Sequence, residues 1–361
     1  MSKTSDEQIV RNLKPRKIIL PAVIGLAIVA WFILKEIDTD TLGILSFTWQ
    51  SLFWIFVAFL FMIGRDLGYM IRIRILTDNK LTWRQAFRVI MLWEFTTAIT
   101  PSTVGGTAVA VIFLNKEKIS VGKSTSVVLA TSFLDELYFV VMLPLLLVII
   151  GHKALFLTSL QGTGMAFLNH LMMLTAIGYA IILVWVILVG YGLFFNPHVI
   201  KKLIIGIFRL PLLRRWQNAA AKAGNDIVES SEALRKKSRA FWIKAGAATF
   251  LSWTSRYWVV NAILLAFFTI NEHFLVFARQ LTTRIMMMIS PSPGGSGFAE
   301  LILSRYISDI IPVDIAVAAS VALAVAIIWR VISYYPYLII GAFIAPGWIE
   351  KNFIIRKKTH K

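Results

Sequence analysis

The chain is 361 residues long, 58% of them hydrophobic, and carries a net charge of +18 without a single cysteine. A soluble domain of this size does not hide that much apolar surface, and the missing cysteines exclude disulfides, thiolate metal sites and cysteine nucleophiles. The charge reads as lysine and arginine gathered on the cytoplasmic face of a membrane, against anionic headgroups, and not as nucleic-acid binding, because no recognition motif accompanies it.

The first predicted element is an uncleaved anchor helix. Lys3, Arg11, Lys14, Arg16 and Lys17 precede the apolar run Ile18–Leu34, and Glu36, Asp38 and Asp40 follow where a signal peptide would show small residues. A helix needs about 20 apolar residues to cross the hydrocarbon. Full spans are therefore expected at 18–35, 46–64, 121–150, 169–194, 246–268 and 313–345, the last kinked or divided at Pro336. Two more apolar segments, 86–115 and 275–306, are interrupted halfway by Pro and Gly. Each half is too short to cross alone, and such breaks occur at membrane depth only inside protein or beside a wet cavity. Residues 195–244 are too polar to span. They read as an amphipathic interfacial helix, with Ile200, Leu203, Ile204, Ile207 and Phe208 opposite Lys201, Lys202, Arg209, Arg214 and Arg215, and then a charged cytoplasmic helix up to Arg239.

Charge sets the topology. Residues 1–17, 64–88, 115–123, 195–244 and 350–361 hold 30 of the 37 basic residues, whereas 35–43, 151–168, 269–275 and 308–314 hold only Lys35 and Lys153. Rich and poor segments alternate only if 86–115 enters and leaves from the cytoplasm and 275–306 from outside. The expected fold is all-α: a polytopic membrane bundle of about six full spans plus two re-entrant helical hairpins, with both termini cytoplasmic in a bacterial inner membrane.

The broken segments resemble each other. W-E-F-T-T-A-I-T-P-S-T-V-G-G from Trp93 matches T-R-I-M-M-M-I-S-P-S-P-G-G from Thr283, placing Glu94 opposite Arg284. S-V-V-L-A-T-S-F-L-D-E-L from Ser126 matches S-V-A-L-A-V-A-I-I-W-R-V from Ser320, placing Glu136 opposite Arg330. Arg65 and Arg256 correspond upstream. The chain then divides into an anchor (1–45), a first repeat (46–150), a connecting span with cytoplasmic helices (151–245), a second repeat (246–345) and a basic tail (346–361), the repeats being inverted.

Pro101 with Gly105 and Gly106, and Pro291 with Gly294 and Gly295, let the chain reverse, so that a second half-helix begins just after Gly106 or Gly295. Its free N–H groups and dipole suit an anion such as phosphate. Ser102, Thr103, Thr107, Ser290, Ser292 and Ser296 add hydroxyl donors. Glu94, Asp135, Glu136, Arg256, Arg284, Glu300 and Arg330 lie inside apolar segments, where charge is costly and faces the bundle interior. Arg284, Arg330 and Arg256 are the expected phosphate contacts, because guanidinium offers a planar fork. Glu136 and Glu94 are counter-charges or proton carriers, and Asp135 joins Glu136 as an adjacent carboxylate pair. Structural pairing would join Glu136 to Arg330 and Glu94 to Arg284 or Arg256; Arg65 is expected at the cytoplasmic mouth. Glu300 also suits a helix start. Met286–Met288 reads as packing, because no His or Cys supports a copper site. The five histidines show no ligand spacing, and no metal or cofactor is expected. Trp31, Trp83, Trp93 and Trp348 fit interfacial belts.

With these residues in view, the chain resembles the lysylphosphatidylglycerol synthase transmembrane-region family, also called flippase-like. The marks are P-S-P-G-G-S-G-F-A-E (Pro291–Glu300), the weaker P-S-T-V-G-G, and W-R-V-I-S-Y-Y-P (Trp329–Pro336). The resemblance implies a lipid-flippase domain with two re-entrant hairpins, and a functional core of Gly294, Gly295, Gly297, Glu300 and Arg330, with Ser292 beside it. Bifunctional members continue into a soluble aminoacyl-transferase domain. Only a short basic tail follows Ile349 here, so that activity is expected to be absent. Asp135-Glu136 stands where the family often shows Glu-Arg, so that arginine's role does not carry over.

The function expected is movement of an anionic phospholipid, or a phosphate-bearing lipid carrier, across the inner membrane, with no covalent chemistry. The partner is membrane lipid; a homo-oligomer is compatible with this. Two alternatives stand beside it. One is an intramembrane enzyme acting on a lipid headgroup through Asp135-Glu136. The other is a small-solute secondary transporter, which would have a narrow closed cavity instead of a path open sideways to the bilayer.

Overall fold

The computed structural model describes residues 43–100, 103–156, 164–207, 228–289 and 297–349, together with residues 225, 295 and 352. The expected anchor at 18–35 and almost all of the basic tail lie outside the described residues. Among those described, all regular structure is helical. The helices are α1 (Trp49–Leu76), α2 (Trp83–Ile99), α3 (Thr103–Lys116), α4 (Val121–Ile150), α5 (His152–Phe156), α6 (Gly164–Phe194), α7 (Pro197–Ile207), α8 (Arg239–Phe267), α9 (His273–Met286), α10 (Phe298–Ile307), α11 (Ile315–Ser333) and α12 (Tyr335–Ile349). A 3₁₀ turn, Met287–Ile289, extends α9.

Local chemistry starts these helices. Thr48 with Ser51, and Thr82 with Gln85, form reciprocal capping boxes ahead of α1 and α2. Ser120 and Ser238 accept from the N–H groups of Lys123 and Phe241 and so cap α4 and α8. The cap at Ser238 corrects one boundary. The expected charged helix ends before it, and Arg239 opens α8.

Among the described residues, four stretches are long and apolar enough to cross a membrane: Trp49–Leu76, Val121–Ile150, His170–Phe194 and Ile315–Trp348. The fifth expected span, at 246–268, forms as α8, which is 29 residues long but more polar, with Thr249, Ser252, Ser255 and Asn261 buried. These groups are tolerable because α8 is a core helix, and its main partner is α1. The two meet through a G-x-x-x-G pair. A Cβ on Gly68 would lie 2.8 Å from the Ala248 carbonyl oxygen, so the backbones touch there. Ser252 Oγ donates to the Arg65 carbonyl at 2.6 Å across the same seam.

The last span divides near Pro336 as expected. Tyr334 leaves helical geometry between α11 and α12, and Pro336 falls in the first turn of α12, where a missing N–H costs little. Span 46–64 is corrected: α1 continues to Leu76 and carries Arg65 and Arg72, both buried, into the bundle. These two residues therefore do not belong to a cytoplasmic loop.

The order long, short, short, long occurs twice, as α1–α2–α3–α4 and as α8–α9–α10 followed by α11–α12. Glu94 is the twelfth residue of α2 and Arg284 the twelfth of α9; Glu136 is the sixteenth of α4 and Arg330 the sixteenth of α11. Packing follows the same pattern. α2 lies on α3 and on α12, while α9 lies on α10 and on α4. α6 lies outside this duplication and packs against α4, α9 and α7.

The break tips at Pro101, Ser102, Ser290, Pro291, Ser292, Gly294 and Ser296 lie outside the described residues. One boundary beside them is corrected. α3 begins at Thr103, ahead of Gly105 and Gly106, instead of after them. A Cβ on Gly106 would collide with Thr97 of α2, so this glycine serves the close approach of α2 and α3. Gly295 and Gly297 do adopt positive φ, at 69° and 83°, ahead of α10.

Candidate functional site

The long helices α1, α4 and α8 carry Arg65 and Arg72, Asp135 and Glu136, and Arg256 onto one cavity of about 980 Å³. Of the residues singled out from sequence, Glu94, Asp135, Glu136, Arg256, Arg284, Gly295 and Arg330 line it. Thr107 lines it too. Sequence reasoning had missed Arg72, Tyr69, Trp253 and Tyr337 on its wall. Arg65, Tyr69 and Arg72 follow i, i+4, i+7 spacing, which puts them on one face of α1.

Three arginines are held by carboxylates. Arg65 meets Glu94 at 2.6 Å and Asp66 at 2.8 Å, and Tyr337 donates its hydroxyl to Asp66 at 2.8 Å. Arg72 grips both oxygens of Asp135, with Nη2 to Oδ2 at 3.0 Å, and donates to Thr249 at 3.0 Å. Trp253 Nε1 donates to the same Asp135 carboxylate at 2.6 Å. The Tyr69 ring lies between the two guanidinium groups, 4.5 Å from Arg65 and 4.7 Å from Arg72. Arg330 donates through Nε to Glu300 at 2.6 Å, and Glu300 also accepts from the Gly297 N–H at 2.7 Å. Glu300 is 1% exposed and stands behind the cavity wall, pinning the start of α10 to α11.

These pairs correct the expected ones. Glu94 takes Arg65 in place of Arg284 or Arg256, because α1 runs beside α2 with Arg65 buried against it. Arg330 takes Glu300 in place of Glu136, because α10 packs on α11. Arg65, expected at the cytoplasmic mouth, is thus 1% exposed and lines the cavity.

Arg256, Arg284 and Glu136 remain. Neither arginine has a carboxylate within ion-pair distance among the described residues. Both lie by the Trp253 ring, at 5.7 Å and 5.9 Å from its centroid. Arg284 also donates to Met288 Sδ at 3.0 Å, so part of the methionine run faces the site. Glu136 is 8% exposed, and its Oε2 is buried without a hydrogen bond. The charge of Arg284 acts on it.

The opposite wall has another character. Ile177, Ile181, Val184, Trp185 and Leu188 of α6 line the cavity, and from Gly164 to Phe194 that helix contains no Asp, Glu, Lys or Arg. Ile177, Ile181 and Val184 are exposed. α6 packs on α4 and α9, while α2 and α3 face the cavity from another side. The site thus joins a cationic floor to a long uncharged wall.

A second cluster lies at the turn between α1 and α2. Asp78, at φ 56°, meets Lys123 of α4 at 2.6 Å and Lys237, next to the helical stretch 228–235, at 2.7 Å. Partial burial pushes the Asp78 carboxyl up, but the two lysines outweigh it and hold it below its usual value. The expected tryptophan belt is only partly seen. Trp83 is exposed with Arg74 over its ring, whereas Trp93 lines the cavity and Trp348 is buried against Phe113. Both are drawn inward because α12 packs on α2.

Residues 18–341 match the family described as Lysylphosphatidylglycerol synthase TM region. The chain is 25% identical over 322 residues to a UPF0104 membrane protein of Archaeoglobus fulgidus, with 84% of this chain and 89% of that protein covered. No solved structure matches the chain. The chain belongs to the lysylphosphatidylglycerol synthase transmembrane-region family, and its several long apolar helices make it a multi-pass membrane protein.

Proposed function

We propose, from membership of this family and from the cavity, that the protein moves an anionic phospholipid or a phosphate-bearing lipid carrier across the bacterial inner membrane. It performs no covalent chemistry. The observation that carries this reading is the pairing of two carboxylate-free arginines, Arg256 and Arg284, with the uncharged wall of α6 in one cavity. A phosphate headgroup suits the guanidinium groups and acyl chains suit the α6 wall. The volume is in the range of small-molecule sites, about 300–1,000 Å³, enough for a headgroup and the first carbons of its chains.

The helix order that occurs twice supports an inverted repeat, with α2–α3 and α9–α10 as re-entrant hairpins from opposite faces. The distribution of lysine and arginine supports cytoplasmic termini. The enzyme alternative is weakened because Asp135 is already committed to Arg72 and Trp253, so no free carboxylate pair exists there. The small-solute alternative is weakened by the exposed apolar wall of α6.

The test is reconstitution into phosphatidylcholine vesicles containing fluorescent phosphatidylglycerol, with dithionite reporting the outer leaflet. Protein-dependent movement is expected, and its loss in the double variant Arg256→Ala, Arg284→Ala. Movement no faster than in protein-free vesicles, or a double variant as fast as the parent, overturns the reading.

A further inference from the structure

Glu136 is the one residue of the site whose situation lipid binding alone does not explain. An ionised carboxylate buried without a hydrogen bond is costly, so its charge depends on a nearby cation. The duplication shows why it lacks one. In the second half, Arg330 has Glu300, five residues beyond Gly295, as its partner. In the first half the residue five beyond Gly106 is Val111, which also lines the cavity and offers no charge. Glu136 is left with the field of Arg284.

The groups around it are few. Asp135 is next to it on α4 but is tied to Arg72 and Trp253. From α1 come Arg65 and Arg72, both already paired, and Tyr69; from α8 come Arg256 and Tyr257; from α9 comes Arg284. α3 and α6 present only uncharged side chains to the cavity. An anion arriving at Arg284 therefore takes away the charge that supports ionised Glu136, and among the described residues lining the cavity no other cation without a carboxylate partner but Arg256, itself a ligand for that anion, can replace it.

On the reading that the site carries an anionic lipid, we propose that the lipid moves together with a proton held by Glu136. The phosphate takes Arg284 and Glu136 takes up one proton. The loaded site then carries lipid and proton across. On release, Arg284 returns to Glu136 and the proton leaves on the far side. Binding of anion and proton are mutually favourable, as linkage requires. One proton accompanying one singly charged phosphodiester makes the crossing electrically neutral, so a pH gradient drives it and a membrane potential does not.

The experiment uses the full chain in phosphatidylcholine vesicles with fluorescent phosphatidylglycerol, a set pH difference, and potassium with valinomycin to clamp the potential. The plateau distribution between leaflets is read. Lipid is expected to gather in the leaflet facing the alkaline side, with the ratio changing about tenfold per pH unit and unmoved by the potential. Glu136→Gln is expected to flatten that slope. Should Glu136→Gln prove inert, Glu136→Asp must restore both movement and slope. A flat slope in the parent overturns the coupling while leaving lipid movement intact. An undiminished slope in Glu136→Gln, or a Glu136→Asp variant that moves lipid without the slope, overturns the role of Glu136. No movement by the parent at all overturns the transport reading and the coupling with it.

Discussion

The two halves of this bundle place charge at matching positions and treat it in opposite ways. In the first half, Arg65 on the long helix is closed by Glu94 on the following short helix. At the corresponding places in the second half stand Arg256 and Arg284, two like charges that cannot close on each other. The reverse holds further along: Arg330 is closed by Glu300, and its counterpart Glu136 is open. At each pair of matching positions one member is thus closed by a carboxylate and the other is open, and members of both kinds line the cavity.

This contrast is open to attack. The largest effect is expected from Glu300→Gln, which takes the buried carboxylate away from Arg330; breaking such a pair costs about 3–5 kcal/mol. Thermal unfolding of the detergent-solubilised protein measures it. Glu94→Gln should fall at the lower end, because Asp66 remains beside Arg65 and Glu94 is partly exposed. If either carboxylate can be removed without a change in melting temperature, its pair does not hold the helices together. Next come Arg256→Ala and Arg284→Ala. Each is expected to slow lipid movement on the order of tenfold to a hundredfold, the scale of losing one or two charge-assisted hydrogen bonds. Arg256→Ala should leave the melting temperature unchanged or higher, since an uncompensated charge has gone, and Arg284→Ala should leave it unchanged, since Glu136 takes up a proton when its supporting charge goes. Loss of both stability and movement would give them a structural role as well.

Gly68→Val sharpens the comparison at the seam where the halves meet. The new side chain enters space occupied by the Ala248 backbone and Ser252, and overpacking of this kind costs about 1–3 kcal/mol. A fall in melting temperature is the readout. The smallest effect is expected at Asp78, whose ion pairs are partly exposed and worth at most about 1 kcal/mol. Its carboxyl is held low in the folded protein. The contribution is therefore present above the unfolded value of about 4 and lost as pH falls below it. Asp78→Asn should remove that acid-side dependence from a melting-temperature profile and little else.

Much of the architecture is written in single residues that a hydropathy reading finds. Apolar runs locate α4, α6 and the pair α11–α12, and Pro336 marks the division between the last two. Matching Pro-Ser-Gly motifs bring Glu94 into register with Arg284, the matching runs from Ser126 and Ser320 bring Glu136 into register with Arg330, and the helices keep both registers. Pairing was not legible, because which carboxylate reaches which arginine is decided by neighbours distant in the chain. Arg72 escaped notice for a physical reason: counting basic residues assigns every arginine after an apolar run to water. A helix that continues inward with its own counter-ion breaks the rule. Gly64 and Gly68 sit where α1 meets α8, yet their spacing has meaning only once a partner with Ala248, Ser252 and Ser255 is known.

Trp253 carries a consequence of its own. Its indole edge fastens Asp135, while its face rests beside Arg256 and Arg284. The two cations that have no carboxylate partner among the described residues thus rest on an aromatic surface, which steadies them without an ion pair. In the transport proposed above, an anion that drew either arginine off the ring would act on a side chain anchored to the Arg72–Asp135 clamp between α1 and α4, and so on the element that holds those helices together.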